Sequence, residues 1–341
     1  MKLDDIFKKD EVKIIAEIGI NHNGNFETAE KMIVEAAKAG AHAVKFQTFD
    51  ASVLYSPFAD SLLKKKPPVK DDSLSDFFSR FMFSEEQIKK LKSVSDNNGI
   101  EFFSSPFDIQ SVDILERTGV RVYKIASSEI SNIPLLKKIA STGKPVLIST
   151  GISFEEEIDG AVEIFSNSNT DFALLHCVSL YPVSKEDVNL SRINTLRKKY
   201  KCAAGYSDHS SSIDYCVGAV YLGAEYIEKH FMLEGLECPD ANVSITPAVI
   251  RNLITQISKI KTILGDGQLN YNKNEEVVAN SARRSLYAAS DMNAGDVIKV
   301  NDICVKRPGL GISPLNIDNI TGKKLKNPVK KDMPFKFEDI E

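Results

Sequence analysis

Short apolar runs alternate with amphipathic stretches along most of the chain. The first run, KIIAEIG, ends at Gly19 and is followed by a loop at Gly24 and Asn25 and by a helical pattern from Phe26 to Ala39. Counting this unit, eight strands alternate with eight helical patterns. The later strands are predicted at Ala43–Phe46, Glu101–Ser104, Val122–Ile125, Pro145–Ser149, Phe172–His176, Ala203–Ser207 and Tyr226–His230. The later helical stretches include SEEQIKKLKSVSDNN, IPLLKKIAS, FEEEIDGAVEIFSNS, INTLRKKY, SIDYCVGAVYLG and PAVIRNLITQISKIKTIL.

This alternation predicts a parallel sheet, because strands separated by a helix return in the same direction. Eight units over residues 1–265 fit a closed (β/α)8 TIM barrel better than an open doubly wound sheet, which usually has fewer strands. In the second unit, residues 50–82 are longer and less regular than the equivalent segments of the other units. Such an insertion is more typical of a lid or substrate loop than of structural filler.

The pattern changes after the predicted barrel. Residues 266–282 lose the helical period and are rich in Gly and Asn, which predicts a linker. Residues 283–341 contain short apolar pieces separated by Gly, Pro and Asn turns. They predict a small β-rich domain that lies near the lower size limit for independent stability.

Composition narrows the class of protein. The 341 residues carry a net charge of −4, so the cationic excess typical of partners of nucleic acid or anionic membranes is missing. With 43% hydrophobic and 26% charged residues, a sizeable core is expected. The five cysteines are scattered and odd in number, which favours neither a disulfide framework nor a structural zinc site. We therefore expect a soluble, cytoplasmic protein.

Polar side chains follow the predicted strands, at the ends where a TIM barrel forms its active site. Strand seven ends in Ser207, Asp208 and His209, and strand eight ends in Lys229 and His230. The candidates on the other strands are Glu17, Lys45, Gln47, Ser105, Lys124, Ser127, Ser149, Ser179 and Tyr181, and the histidines His22 and His176 also lie at predicted strand ends.

His209 and His230 end neighbouring strands, so their rings can converge on one divalent cation with positions left open for substrate and water. Imidazole ligands without thiolate suit Mn²⁺, Co²⁺ or Mg²⁺. Taken singly, each histidine fits a hydrogen-bonded structural imidazole better than a metal ligand. Together they predict a catalytic metal site.

Lys45 and Lys124 lie within apolar strands, where an unpaired ammonium group is unfavourable. With several serine hydroxyls nearby, they fit a binding site for phosphate plus carboxylate. A salt bridge to Glu17 or Glu129 and a Schiff-base lysine of an aldolase remain as alternatives.

In the small domain, Arg307 stands between Lys306 and Pro308 in the sequence VKRPGLGISP. The adjacent Pro and Gly predict a stiff turn from which the arginine projects. Alone it fits a solvated surface charge, but a side chain of this kind can also reach into a barrel mouth.

Ten ordered motifs resemble the sialic acid synthase family, whose bacterial members make N-acetylneuraminate, legionaminate or pseudaminate. They are IIAEIGINHNG, VKFQT, SSPF, YKIASSE, ISTG, LLHCVSLYP, GYSDHS, EKHF, RRSLYA and KRPGLGISP. The resemblance covers nearly the whole chain, and the last part is similar to the family's antifreeze-like (SAF) domain.

The resemblance implies condensation of phosphoenolpyruvate with an N-acylated hexosamine such as N-acetylmannosamine, with water, and release of phosphate. It also implies a divalent metal, typically Mn²⁺, held by His209 and His230, and a catalytic carboxylate at Glu17. Phosphoenolpyruvate would be bound by Lys45, Ser105, Lys124, Ser127, Ser149, Ser179 and Ser207. The sugar would be contacted by Tyr181, Asp240 and Arg307, the last supplied by the other subunit of a domain-swapped homodimer.

The resemblance leaves the acceptor sugar open. KIASSE, EKHFML and RRSLYA resemble the pseudaminate branch, whereas RPGLGISP and CPDANVS resemble the neuraminate and legionaminate branches. Two other functions serve as alternatives to the synthase. They are the Schiff-base aldolase and a carbohydrate-binding or ice-binding protein without catalysis, built around the small domain.

Overall fold

The computed structural model describes residues 1–8, 11–56, 58, 59, 62 and 73–341. These residues form two compact units, Met1–Gly265 and Asp266–Glu341. The first unit contains the barrel strands, and the second contains the short β-strands that follow them in the sequence.

The first unit is a closed barrel whose eight parallel strands follow one another in chain order. The strands are β1 (Lys13–Gly19), β2 (Ala43–Thr48), β3 (Glu101–Pro106), β4 (Tyr123–Ile125), β5 (Val146–Ser149), β6 (Phe172–Cys177), β7 (Ala203–Asp208) and β8 (Tyr226–His230). Strand β1 closes the barrel, since Glu17 has Lys45 as its register partner on one side and His230 on the other. The predicted TIM barrel is confirmed.

Helices connect the strands of the first unit. They are α1 (Phe26–Ala39), α2 (Ala51–Leu54), α3 (Leu74–Ser79), α4 (Glu85–Asn97), α5 (Ile109–Thr118), α6 (Ile133–Ala140), α7 (Glu155–Asn167), α8 (Arg192–Tyr200), α9 (Asp214–Tyr221) and α10 (Pro247–Leu264). The helical pattern between the third and fourth strands is helix α5, which buries Ser111, Val112 and Leu115. In the part of the chain that the structure describes, no helix is long and apolar enough to cross a membrane.

Helix α1 shows how local sequence sets the helix ends. The side chain of Asn25 accepts a hydrogen bond from the backbone N–H of Thr28, which satisfies a donor at the helix start. Gly40 ends the helix with φ of 90°, a left-handed conformation that glycine adopts at low cost. Between these ends the helix buries Ala29, Met32, Ile33, Ala36 and Ala39.

The insertion between β2 and β3 includes α2 and α3. Residues 57, 60, 61 and 63–72, within the predicted lid or substrate loop, lie outside the described residues. The described parts contribute Phe49, Ala51 and Phe81 to a small apolar cluster with Ile20. The lid function stays a prediction.

The barrel interior changes from apolar to polar along the strands. Its lower layer contains Ile15, Ala43, Phe103, Val122, Leu147, Ala173, Leu175 and Tyr226, which pack with Leu3 and Phe7 of the N-terminal segment. Since side chains alternate between the two sides of a strand, the next inward position lies two residues further on. Those positions hold Glu17, Lys45, Ser105, Lys124, Ser149, Cys177 and Glu228. The polar groups of the interior are thus concentrated near the carboxyl ends of the strands.

The second unit has its own apolar core. Strands β9 (Ser285–Ala288) and β10 (Ile303–Lys306) form an antiparallel pair, and short helices α11 (Glu276–Ala282) and α12 (Ile317–Ile320) belong to the same unit. Helix α11 lies within the segment predicted as a linker. The core contains Leu286, Ala288, Met292, Ile298, Ile312, Ile320, Leu325, Val329, Phe335 and Ile340.

Candidate active site

A cavity of about 240 Å³ lies at the carboxyl ends of the barrel strands. It brings together most of the predicted site residues, namely Glu17, Lys45, Gln47, Ser105, Lys124, Ser127, Ser149, Ser179, Tyr181, Ser207, His209 and His230. Asp240 lies beside His230 and is described below. Arg307 belongs to the second unit, where its side chain is exposed.

Lys45 is buried in contact with acidic and hydroxyl groups. Its Nζ lies 3.0 Å from Oε2 of Glu17 and donates to Oγ of Ser105 at 3.2 Å. The Nε2 of Gln47 donates to Oε1 of Glu17 at 3.4 Å. Although burial acts against the charged form, Glu17 and Glu228 raise the pKa of Lys45 above its usual value. The salt bridge between Lys45 and Glu17 that the sequence left open is therefore present.

Lys124 has different surroundings. Its Nζ donates to Oγ of Ser149 at 2.6 Å and to the carbonyl oxygen of Ile125 at 2.8 Å. Burial lowers the pKa of Lys124 to about 8, and the charge of Lys45 acts in the same direction. Glu129 instead accepts hydrogen bonds from Asn132 and Ser128. The ammonium group of Lys124 is thus surrounded mainly by neutral acceptors.

Glu228 lines the cavity and was missed in the sequence. Its Oε1 accepts a hydrogen bond from Ser207 at 2.9 Å and lies 3.8 Å from Nζ of Lys45. Burial raises its pKa, but Lys124 and Lys45 outweigh this effect and lower the pKa to about 2. The alternation along β8 could have revealed Glu228, because it precedes the inward-facing His230 by two residues.

The ring of His209 is held by hydrogen bonds on both nitrogens. Nδ1 lies 2.9 Å from the carbonyl oxygen of Val178, which can only accept, so this nitrogen carries the proton. Nε2 is then the acceptor, and it lies 2.9 Å from the hydroxyl of Tyr181, whose ring stacks on the imidazole. The Sγ of Cys177 lies 3.7 Å from Nδ1.

His230 lies close to His209 and to a loop carboxylate. The two imidazole centroids are 5.2 Å apart, and Nδ1 of His230 lies 3.2 Å from Oδ2 of Asp240. Burial opposes ionisation of Asp240, but His230 lowers its pKa below the usual value. The loop is held by Asn21, whose Oδ1 accepts from the Asp240 backbone and whose Nδ2 donates to Oγ of Ser244 at 2.9 Å.

Other polar residues at the predicted strand ends face elsewhere. His22 stacks on Phe83, and burial lowers its pKa to about 4. His176 bonds through Nε2 to the carbonyl oxygen of Val188. Of the four histidines placed near the mouth by sequence, these two fit the structural interpretation.

Ser127, Ser179 and Cys177 surround Gly151, which follows β5 and itself bonds to Ser127. The N–H of Gly151 donates to Oγ of Ser127 at 3.0 Å. A Cβ on Gly151 would lie 2.7 Å from Oγ of Ser179 and 2.8 Å from Oγ of Ser127. Because Gly151 has no side chain, its backbone can lie close to both hydroxyls while they face the cavity.

The donor set fits a divalent cation. His209 has its proton fixed on Nδ1, so the Nε2 lone pair faces the cavity next to His230, an arrangement common among metal-binding histidines. Among the described residues, no group of three or more His, Cys, Asp or Glu side chains is arranged to hold a metal. The protein would thus supply the two imidazoles and leave the other positions to substrate and water.

The sequence matches one known protein family and one known domain. The NeuB family matches residues 32–269, and the SAF domain matches residues 283–341. The chain belongs to the NeuB family. The resemblance to sialic acid synthases with a C-terminal SAF domain is thereby confirmed.

This NeuB-family chain has relatives along nearly its whole length. It is 37% identical to an N,N'-diacetyllegionaminic acid synthase of Legionella pneumophila, with 96% of this chain and 94% of the relative covered. It is 36% identical to a pseudaminic acid synthase of Campylobacter jejuni, with 94% of each covered. A crystal structure of an N-acetylneuraminic acid synthetase from Leptospira borgpetersenii, in complex with citrate, has a TM-score of 0.72 at 37% identity and covers 79% of this chain and 90% of that one.

Proposed function

We propose that this NeuB-family member condenses phosphoenolpyruvate with an N-acylated hexosamine and water and releases phosphate by C–O cleavage. The observation that carries the proposal is the cavity in which buried Lys45 and Lys124 bond to serine hydroxyls beside His209 and His230. Two ammonium groups with hydroxyl donors suit a ligand that carries both a phosphate and a carboxylate. The reaction makes it a transferase.

The lysines and hydroxyls would bind phosphoenolpyruvate. Lys45 and Lys124 supply positive charge, and Ser105, Ser127, Ser149, Ser179 and Ser207 supply hydroxyls around the same cavity. As the bond between C2 and the phosphate oxygen breaks, negative charge grows on the departing phosphate. Donors already in place stabilise that charge without reorganising.

Glu17 would accept a proton in the proposed reaction. When C3 of phosphoenolpyruvate attacks the open-chain sugar aldehyde, C2 becomes electrophilic and takes up water. The proton from that water would go to Glu17, whose Oε1 and Oε2 contact Gln47 and Lys45. Phosphate then leaves C2, and the new C2 hydroxyl loses its proton as the keto group forms. The two protons of the water end on the former aldehyde oxygen of the sugar and on the released phosphate.

His209 and His230 would hold the divalent cation, which we take as Mn²⁺ with Mg²⁺ or Co²⁺ as alternatives. When bound, such a cation supplies Lewis-acid polarisation of the aldehyde oxygen of the sugar. Tyr181 and Asp240 contact the two imidazoles. They would contact the sugar.

The acceptor panel tests this function. Purified protein with MnCl₂ and phosphoenolpyruvate is given N-acetylmannosamine, its 6-phosphate, or the two diacetamido-trideoxyhexoses of the legionaminate and pseudaminate routes, and released phosphate is measured. We expect release only with an acceptor, and N-acetylmannosamine is our first choice. The matched control carries both His209→Ala and His230→Ala. Equal release from this variant, or from chelator-treated protein, would refute the metal-dependent reaction.

The Schiff-base aldolase is retained as a second candidate because burial lowers the pKa of Lys124 to about 8, which favours a nucleophilic amine. Borohydride treatment in the presence of substrate distinguishes the two. Covalent trapping that is lost in Lys124→Arg and resists chelators would favour the aldolase. Phosphate release without trapping would favour the synthase.

The homodimer, the cytoplasmic location and the role of Arg307 stay predictions. A complementation test checks whether Arg307 acts on the barrel of the other subunit. The single variants Arg307→Ala and Glu17→Gln should each have little activity when tested separately. Mixed after dissociation and reassociation, they should recover part of the activity, because each hybrid dimer contains one barrel with both groups. No recovery in dimers shown to be hybrid would contradict the swap.

A further inference from the structure

A buried ion pair lies on the outer side of the barrel wall, next to the two histidines of the cavity. Nζ of Lys229 lies 2.9 Å from Oδ2 of Asp208, and the side chains are 1% and 0% exposed. Asp208 on β7 is the register partner of Lys229 on β8. Each residue directly precedes a histidine, His209 or His230, in the chain. The pair therefore connects the two segments that carry the proposed metal ligands.

Asp208 accepts hydrogen bonds on both carboxylate oxygens. Oδ1 accepts from the N–H of Ser210 at 2.8 Å and from the hydroxyl of Tyr206 at 3.1 Å. Oδ2 accepts from Oγ of Ser210 at 3.0 Å and from the thiol of Cys216 at 3.1 Å. The bonds to Ser210 close a tight loop around His209. They hold the main chain on both sides of that residue.

Lys229 extends this network to β8. Its ammonium group donates to Oδ2 of Asp208 and to the carbonyl oxygen of Ser210, the residues before and after His209. The carbonyl oxygen of His230 in turn accepts from the backbone of Ile245 at 2.8 Å. Sliding of one strand along the other, or rotation of the loop after β7, would break the bonds of Lys229.

We propose that the Asp208–Lys229 pair sets the spacing of His209 and His230 for cation binding, so that both members are positioning residues. The inference rests on the proposed function, since it takes the two histidines as metal ligands. A buried ion pair contributes little net stability because desolvation offsets its attraction, and neutral replacements are often equally stable. A purely structural pair would thus be replaceable without effect on the cavity, whereas a positioning pair would not.

The test is the double variant Asp208→Asn with Lys229→Met, which removes both charges together. Full-length wild-type and variant proteins, stripped of metal, are titrated with MnCl₂ by calorimetry, and their thermal unfolding is followed by circular dichroism. We expect a folded variant whose Mn²⁺ affinity is about 10- to 100-fold weaker, the loss typical of groups that orient metal ligands. Its activity should recover partly as MnCl₂ is raised.

Thr48→Val is the matched control. Oγ1 of Thr48 lies 2.7 Å from Oγ of Ser104, a buried pair on the outer side of β2 and β3, away from the histidines. Its loss should leave the Mn²⁺ affinity at the wild-type value. If the double variant does not fold, Tyr206→Phe tests the positioning role instead, because it removes only one neutral hydrogen-bond donor to Asp208. We expect it to weaken Mn²⁺ binding about threefold, roughly one hydrogen bond.

The outcomes separate this inference from the proposed function. Mn²⁺ binding by wild type that is lost in the His209→Ala, His230→Ala variant but kept in folded Asp208–Lys229 and Tyr206 variants would overturn the positioning role alone. An equal loss of affinity in Thr48→Val would also overturn it, because the effect would then be general loosening of the barrel. Wild-type protein that binds Mn²⁺ no better than the double-histidine variant would overturn the metal site and the positioning role together.

Discussion

Oε2 of Glu17 lies 3.0 Å from Nζ of Lys45, with the side chains 2% and 5% exposed. The contact joins the proposed proton acceptor to a group proposed to bind phosphoenolpyruvate. Because Lys45 also lies 3.8 Å from Glu228, it keeps an acidic neighbour when Glu17 is neutralised. The two roles can therefore be separated by substitution.

Glu17→Gln should lower kcat about 100- to 10,000-fold, since an amide cannot take the proton from water, while KM for phosphoenolpyruvate changes little. Steady-state phosphate release measures both constants. Glu101→Gln is the matched control, because Glu101 begins β3 at the opposite end of the barrel and pairs there with Arg121. A kcat for Glu17→Gln near that of the control would rule out the proton-transfer role.

Lys124 should give the enzyme a pH dependence. Burial lowers its pKa to about 8, so it carries charge below that pH and loses it above. We expect kcat/KM for phosphoenolpyruvate to fall as the pH rises past about 8, because a neutral amine attracts phosphate less. Lys45, whose pKa is raised by Glu17 and Glu228 against the effect of burial, stays charged there.

Profiles of kcat/KM from about pH 6.5 to about pH 9.5 check this expectation. In Lys124→Arg the guanidinium stays protonated across the range, so the decline above pH 8 should disappear even if the overall rate is lower. The same decline in the arginine variant would assign the titration to another group.

The hydroxyl of Tyr181 bonds to the nitrogen of His209 that a metal would need. Since that bond must break when the cation binds, Tyr181→Phe should tighten Mn²⁺ binding about two- to tenfold, the equivalent of one hydrogen bond of ~0.5–1.5 kcal/mol. It should also raise KM for the sugar. Calorimetry with MnCl₂ measures the first effect, and Tyr200→Phe, which loses an exposed bond to Asp159, is the control. Weaker Mn²⁺ binding by Tyr181→Phe would show that the hydroxyl supports the metal instead.

Gly151→Ala should damage binding more than stability. The added methyl group would lie within 3 Å of Oγ of both Ser127 and Ser179, and these hydroxyls can rotate away. Once rotated, they no longer face the anion, so we expect KM for phosphoenolpyruvate to rise about tenfold or more, roughly two lost hydrogen bonds. Gly160→Ala, on the open surface of α7, is the control. An unchanged KM would remove Ser127 and Ser179 from the binding site.

The fold could be predicted because each barrel strand is a short apolar run that can be recognised from the local sequence alone. The same period places the inward groups, which is why Lys45, Lys124, His209 and His230 line the cavity as expected.

What the sequence could not provide is the partner of each polar group. Lys229 and Glu228 are neighbours, yet the first bonds to Asp208 outside the barrel wall and the second faces the cavity. His22 resembles a site histidine in the sequence but packs among phenylalanine rings. These contacts are set by tertiary packing, which brings together residues that are far apart in the sequence.

The interior and the rim of the cavity are built from different parts of the chain. Lys45 and Lys124 are buried on strands, whereas Tyr181 is 51% exposed after β6 and Asp240 lies on the loop after β8. Substitutions in those loops do not change the buried lysines or the carboxylates that lie next to them. Under the proposed function, preference for one sugar over another could therefore be redesigned through these loops while the proposed binding of phosphoenolpyruvate is left unchanged.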